Sequence, residues 1–580
     1  MNVLVRHYTV RKNISRDRRI TILSSLFFLI SIVIIARFFY LQIISHNFYS
    51  SLAEQSHLLK KTITPVRGSI YIKENDKLYP VVTNKDYYLV YADPREITDY
   101  QKVIDKITPI LNLEEEEWKA LIPKFKKYND PYEPIKNKIS KEQVEELKKL
   151  DLPGIYYLAE PYRYYPEENF GGQVLGFVGF QGESKQGKYG LEGFFESELA
   201  GQFGLIQSVK DARGELVTVG DRKITKPIDG KNLVLTLDRA IQLYACQKIK
   251  ESVVNFEALN GTIIVSEPNT GAVLAMCSYP DFDPDKYNEI EDINIFNNPA
   301  VFYDYEPGSV FKAFTLAIAL DLELVTPDST YEDTGEVKII GHEPIKNSDL
   351  KSYGVQTMTQ VLEKSLNTGS VFVADKIGRE KFREYIKKFG FGKITGITLD
   401  TEQPGNISNL DKKGEIYTLT ASFGQGITVT PIQLVAAFTA LANGGKLMKP
   451  YLVDELIYSD GRQAKTEPQI VNQVINPKTA AVIKGMLTSV VENGHSKYAG
   501  VAGYYVAGKT GTGQIAAGGR YGADANHTFV GFAPVTDPKI VMLVKLEKPK
   551  IGKFAESTSA VVFGQLAKFI LEYYHIPPER

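Results

Sequence analysis

Tyr305-Glu306-Pro307-Gly308-Ser309-Val310-Phe311-Lys312 runs from a Pro-Gly turn into an apolar segment, residues 311–324. Pro and Gly punctuate secondary structure, and the run that follows them has helical length and composition. Ser309 and Lys312 are three apart, so on a helix they share a face, one turn from each other. A hydroxyl beside an amine is the smallest pair that can make an activated serine nucleophile. The free N–H groups at such a helix start can also stabilise a developing oxyanion. Spacing alone does not decide the matter. Ser348-Asp349-Leu350-Lys351 fits the same S-x-x-K pattern, but no Pro-Gly turn precedes it and no long apolar segment follows it.

The chain downstream supplies further parts. Residues 361–374 read as a helical stretch that contains Ser365-Leu366-Asn367. Two side chains two apart line one cleft only if the backbone between them leaves the regular helix; a Ser or Asn in such a place is more often a cap than a catalyst. Ser422-Phe423-Gly424-Gln425-Gly426 reads as a tight glycine loop, and a helix follows over residues 432–443. Residues 504–513 read as a strand, with Lys509-Thr510-Gly511-Thr512 on it. Glycines at 508, 511 and 513 weaken a strand, so they mark close approach of another backbone or a ligand. A lysine with two threonines offers a cation and two hydroxyls to a carboxylate. Residues 529–534 and 540–546 read as two more strands, and residues 261–267 and 271–277 as a pair around a Pro-Asn-Thr turn. Residues 232–238 form a strand ending at Asp238, a cap for the helix that follows.

At 580 residues the chain is too long for one core, so several domains are expected. A net charge of −1 gives no case for a nucleic-acid partner. Seven scattered histidines show no ligand spacing, so neither a metal nor another cofactor is expected. Cys246 and Cys277 make no framework; two separate buried thiols are expected, with pairing left open. Arg6, Arg11, Lys12, Arg16, Arg18 and Arg19 crowd the start, and residues 20–36 then carry no charge. This predicts a basic cytoplasmic tail over 1–19 and one uncleaved membrane span over 20–44, with Arg37 snorkelling. The basic residues before the span place the N-terminus inside and the rest of the chain outside. The apolar run is too long for a signal peptide, and no small-residue cleavage site follows it. Residues 45–225 read as a non-catalytic arm. Residues 63–72 are a turn into a strand, 87–91 a second β-rich run, and 96–152 a charge-rich segment of short, solvated helices. Residues 226–575 hold the motifs above.

Ser309-Val310-Phe311-Lys312, Ser365-Leu366-Asn367 and Lys509-Thr510-Gly511-Thr512, in that order, form the motif set of penicillin-binding proteins and class A β-lactamases. The chain resembles a class B penicillin-binding protein, a peptidoglycan D,D-transpeptidase of the division and spore-cortex kind, over nearly its whole length. Asn298-x-Ala300, Thr236-Leu237-Asp238 and Asp281-Phe282-Asp283-Pro284 are similar too. In the arm, so are Arg67-Gly68, Arg163-x-Tyr165-Pro166 and Gly190-Leu191-Glu192-Gly193, and a buried Arg67–Glu192 ion pair is compatible with them. Residues 72–75 depart from the family's usual turn.

The resemblance implies an α/β (α+β) multidomain fold: a penicillin-binding, β-lactamase-like transpeptidase domain (antiparallel sheet packed by helices) on a β-rich elongated pedestal, with one transmembrane helix. It implies that Ser309 is acylated by a peptidoglycan stem peptide, with Lys312 as base. Ser365 would relay the proton, Asn367 would hold the substrate amide, and Lys509, Thr510, Gly511 and Thr512 would bind the terminal carboxylate. β-Lactams would be stalled pseudo-substrates. A polytopic membrane glycosyltransferase and other cell-wall or division proteins are the implied partners, in the bacterial cytoplasmic membrane. No glycosyltransferase domain precedes the arm, and too little chain follows residue 546 for an appended domain. The alternatives are an elongation-type transpeptidase, a β-lactamase or β-lactam sensor, and a non-catalytic division scaffold.

Overall fold

In the computed structural model, residues 14–45, 58–74, 77–181, 184–209, 223–517 and 520–580 are described. Most of the expected basic tail and Asn75 of the divergent turn lie outside them. A helix runs Ile14–Phe39 and continues through a wider π turn, Tyr40–Ile44. Its segment Ile20–Ile44 is long and apolar enough to cross a membrane, and none of it is buried in the protein. The helix starts ahead of Ile20, so Arg16, Arg18 and Arg19 ride on its first turns rather than in a tail.

The chain divides into two compact units, Met1–Pro65 with Gln202–Ile228, and Val66–Gly201 with Asp229–Arg580. In the first, Leu58–Ile63, Gly204–Val209 and Lys223–Thr225 form a three-stranded antiparallel sheet.

The second unit holds two large sheets. One has seven strands, in the order Gln463–Lys465, Val453–Ile457, Asn232–Leu235, Ile70–Glu74, Lys77–Ala92 and Glu133–Ile139, with Ile155–Tyr164 also on Lys77–Ala92. Asn232–Leu235 was expected to open the motif-bearing half, yet it pairs in parallel with Ile70–Glu74 of the arm. The charge-rich segment folds into Tyr100–Leu111, Glu115–Phe125 and Lys141–Lys149. Their charges face water, while Ile104, Ile107, Phe125, Val144 and Leu147 close a small core with Val90 and Ile155.

The three arm motifs meet at one carboxylate. Glu192 is fully buried. It accepts from Arg67 Nε at 2.8 Å and from Arg163 Nε at 2.6 Å. Arg67 also pairs with Glu196 at 2.7 Å. Asn84 closes the cluster, donating to the Arg67 carbonyl at 2.6 Å and accepting from Arg163 Nη1 at 2.9 Å.

The other sheet is antiparallel, in the order Val273–Tyr279, Asn260–Ser266, Ile540–Glu547, Arg520–Ala533, Ala507–Ala517. Its central strand shows why it forms. Side chains alternate between faces. Ile540, Met542, Val544 and Leu546 enter one core with the helices Arg239–Asn255 and Ser559–Tyr573, while Val541 and Leu543 enter the other. That second core surrounds Pro431–Ala442, buried on every side, and Lys312–Asp321, buried from Lys312 to Leu320. Asp238 caps Arg239–Asn255, accepting from the Ile241 N–H at 3.1 Å.

The two cysteines correct an expectation. Cys246, on Arg239–Asn255, and Cys277, on Val273–Tyr279, form a disulfide across a Cα–Cα distance of 5.1 Å. The helix packs directly on the strand, which a separation of 31 residues does not reveal.

Glu192→Ala would leave two buried guanidiniums without their shared partner. The expected loss is roughly 3–5 kcal/mol of stability, read as a lowered thermal midpoint of the full chain in detergent.

Candidate active site

The Pro-Gly turn ends in a 3-10 turn, Gly308–Phe311, which passes into the α-helix at Lys312. Ser309 is therefore on the tighter turn and Lys312 opens the α-helix, rather than both lying on one regular helix. Gly308 has φ 57°, a left-handed conformation that suits glycine. The turn is anchored at several points. Gly308 N–H donates to the Gly424 carbonyl at 3.2 Å. Tyr305 exchanges backbone bonds with Val429, both at 3.0 Å, and its hydroxyl meets Thr528 Oγ1 at 3.1 Å. Glu306 Oε1 accepts from the Gly426 N–H at 2.9 Å. The 422–426 loop is thus the wall against which the turn rests: a methyl group on Gly424 would overlap the Gly308 backbone. Its Ser422 carbonyl accepts from Thr315 at 2.7 Å and Ser370 at 2.8 Å, tying two helices to it.

Residues 361–374 are not one helix. Met358–Glu363 ends, Asn367–Ile377 begins, and Ser365 between them takes φ 55°. A non-glycine residue there is strained, a state found at sites whose surroundings over-determine it. The break takes Ser365 and Asn367 out of one continuous helix. It is held from afar. Asn347 Oδ1 accepts from the N–H groups of Asn367 and Thr368 at 3.0 and 3.3 Å. Buried Asp333 fixes Asn347 and Thr368 in turn.

The strand Ala507–Ala517 is an edge of its sheet, paired only with Arg520–Ala533. Its glycines admit the Ser309 turn. A Cβ on Gly511 would lie 2.6 Å from the Pro307 carbonyl oxygen, and one on Gly513 2.5 Å from that of Glu306. Gly508 instead makes room for the Phe529 ring.

Three side chains converge. Lys312 Nζ donates to the Ser365 carbonyl at 2.5 Å and to its hydroxyl at 3.3 Å. Lys509 Nζ donates to the same hydroxyl at 3.0 Å and to the Thr510 carbonyl at 3.1 Å. Both amines are buried. Burial, and then the charge of Lys509, hold Lys312 well below an ordinary amine. Burial brings Lys509 down to about 7, opposed by Glu556. Ser309 stands half-buried one turn from Lys312. Asn367 Nδ2 donates to the Lys346 carbonyl at 2.8 Å. Thr510 and Thr512 are half-buried, and Thr512 Oγ1 accepts from the Ala555 N–H at 3.3 Å. The second S-x-x-K, Ser348 to Lys351, lies in an exposed loop.

Sequence reasoning missed Glu306 as an anchor, Asn347 and Asp333 as the brace behind Asn367, and Glu556 beside Lys509. Each acts across a long sequence separation and carries no local signal. Glu306 directly precedes the Pro-Gly turn, but nothing near it in the chain marks what it binds.

A buried serine–lysine site on a helix-flanked antiparallel sheet defines a serine acyltransferase of the penicillin-recognising kind. Residues 261–568 match the penicillin binding protein transpeptidase domain, and residues 62–235 match the penicillin-binding protein dimerisation domain. Stage V sporulation protein D of Bacillus subtilis is 34% identical over 95% of this chain and 85% of its own. The probable peptidoglycan D,D-transpeptidase PbpC of Pseudomonas aeruginosa is 28% identical over 97% and 96%. Among solved structures, penicillin binding protein 2X of Streptococcus thermophilus superposes with a TM-score of 0.75 at 22% identity, over 89% of this chain and 80% of that one. Penicillin binding protein 3 of Mycobacterium tuberculosis, complexed with aztreonam, gives 0.69 at 24%, over 90% and 98%. The chain belongs to the class B penicillin-binding proteins, peptidoglycan D,D-transpeptidases.

Penicillin acylation, followed as a second-order rate constant against pH, is expected to be bell-shaped. It rises as Lys312 loses its proton and falls as Lys509 loses its own near pH 7. Lys509→Arg, whose cation does not titrate in this range, should remove the falling limb.

Proposed function

We propose that this protein is a membrane-anchored transpeptidase that cross-links stem peptides through an acyl-enzyme on Ser309, in septal wall synthesis. The observation that carries the assignment is the Ser365 hydroxyl held between the Lys312 and Lys509 amines, one helical turn from Ser309.

Neutral Lys312 takes the Ser309 proton as Oγ attacks the carbonyl of the penultimate D-alanine. The oxyanion is received by the Ser309 and Thr512 N–H groups. Ser365 passes the proton to the departing D-alanine nitrogen, and the C–N bond breaks. An amine of a neighbouring strand then attacks the ester, loses its proton by the same route and releases Ser309. Lys509, Thr510 and Thr512, with Gly511 giving clearance, hold the terminal carboxylate. Asn367 accepts from the donor peptide's N–H. β-Lactams enter as the same acyl donors, with a leaving group that stays attached.

Residues 45–225 would be the pedestal and 226–575 the transpeptidase domain; the dimerisation match extends ten residues past that division, to residue 235. Ile20–Ile44 would cross the cytoplasmic membrane with the N-terminus inside. The basic residues before the span support that topology, as does a disulfide of the sort that persists outside the cytoplasm. Resemblance to division and spore-cortex members, and the name of the sporulation relative, support a septal role with a polytopic glycosyltransferase as partner.

Labelling membranes with a fluorescent penicillin should give a long-lived adduct on Ser309 that Ser309→Ala abolishes. Rapid release of hydrolysed drug would instead indicate a β-lactamase, and no adduct a scaffold. Depletion should give filaments; round cells would move the protein to elongation.

A further inference from the structure

A contact at the hairpin end joins the Ser309 turn to the far strand of the hairpin. Tyr521 lies on Arg520–Ala533, the return strand of the hairpin made with Ala507–Ala517. The register of that pair is regular from Ala507↔Phe532 to Gln514↔Ala525 and then shifts, so that Ala516 faces Tyr521. Such irregularities re-aim side chains. The Tyr521 hydroxyl donates to Glu306 Oε2 at 3.1 Å, with Oε1 at 3.4 Å. Glu306 is the residue whose backbone crosses over Gly513 and whose carboxylate also receives the Gly426 N–H.

We propose that Tyr521 is a positioning residue: through Glu306 it holds the edge strand bearing Lys509–Thr512 at working distance from Ser309. The other restraints on the turn do different work. Gly424, Val429 and Gly426 tie it to the helical side of the cleft. Thr528 ties Tyr305 to the return strand farther back in the sheet. Gly511 and Gly513 permit close approach to the edge strand, but a missing side chain sets only a lower limit on a gap. Among the described residues, the Tyr521–Glu306 bond supplies the pull at the hairpin end. The group is suited to it. Glu306 accepts with both oxygens, and a hydrogen bond to a carboxylate is stronger than one between neutral groups. Tyr521 is 44% exposed, so its loss empties no core. What depends on the distance is the oxyanion site, which takes one N–H from Ser309 on the turn and one from Thr512 on the strand. Misplacing reacting groups by an ångström costs rate rather than affinity.

The inference rests on Ser309 being the acylated residue, and the test keeps the two apart. Full-length protein in detergent is mixed with a fluorescent penicillin, and the acylation time course is followed across drug concentrations. Loss of label in Ser309→Ala tests the underlying assignment alone. Tyr521→Phe is expected to lower the limiting acylation rate about tenfold, while the half-saturating concentration stays within about twofold. Glu306→Gln, whose amide oxygen can keep the Gly426 N–H while its NH2 donates to the Tyr521 oxygen, should stay within about threefold of the original rate. In a Glu306→Ala background, adding Tyr521→Phe should cost nothing further. Unchanged melting temperature in Tyr521→Phe separates positioning from folding. The inference is overturned if Tyr521→Phe acylates at the original rate. It is equally overturned if the loss falls on half-saturation, which would put Tyr521 on the ligand, or if the two substitutions are additive.

Discussion

Two buried lysine amines share one serine hydroxyl, Lys312 at 3.3 Å and Lys509 at 3.0 Å from Ser365 Oγ. Two ammonium ions at such range, away from water, repel by a few kcal/mol even at an effective dielectric of about 20. Desolvation adds to the cost of each. The arrangement is stable only when one of the pair is neutral, and that requirement divides the labour. Lys312, lowered by burial and by the charge of Lys509, is the more readily neutral of the two. Lys509 has Glu556 in its favour and is the better placed to stay cationic. The same repulsion that would be a defect in an ordinary core sets two identical side chains apart in charge.

Much of the remaining architecture keeps that pair in place. Lys312 begins a helix buried along its length. Lys509 is on an edge strand, where backbone groups remain open to a ligand. Ser365 stands in a strained break between two helices, over-determined by Asp333 and Asn347. Five strands with a core on each face make a floor that side-chain motion cannot easily deform. The ionic cluster at Glu192 plays the corresponding part among the arm motifs, with one buried carboxylate organising two arginines.

What could be read from residues alone follows a physical division. The Pro-Gly turn, the strand 540–546, the cap at Asp238 and the helix after Thr430 are governed by neighbours in the chain, and each appeared where expected. The glycines at 511 and 513 signalled close approach correctly, because the absence of a side chain is itself a local fact. The partners of those elements were not legible. Residues 361–374 read as one helical stretch, since local propensity does not register a brace supplied by Asn347 from another loop. Cys246 and Cys277 could not be seen to pair because helix-on-strand packing joins them. The strand 232–235 carries nothing to say that its neighbour is Ile70–Glu74.

The contact between the Ser309 turn and the strand is made largely of main chain: Gly308 meets the backbone of Thr512 and Gly513 on one side and that of Gly424 on the other, and Gly511 and Gly513 lie under the Pro307 and Glu306 carbonyls. Side-chain layers can be retuned by small exchanges, a methylene gained here and lost there. A layer of peptide groups offers no such increments, since the smallest available change is a whole methyl group set into an occupied space. The heart of the cleft is therefore closed to gradual variation. Evolutionary adjustment of its shape, whether toward a new acceptor or away from an inhibitor, has to enter through the side-chain rim.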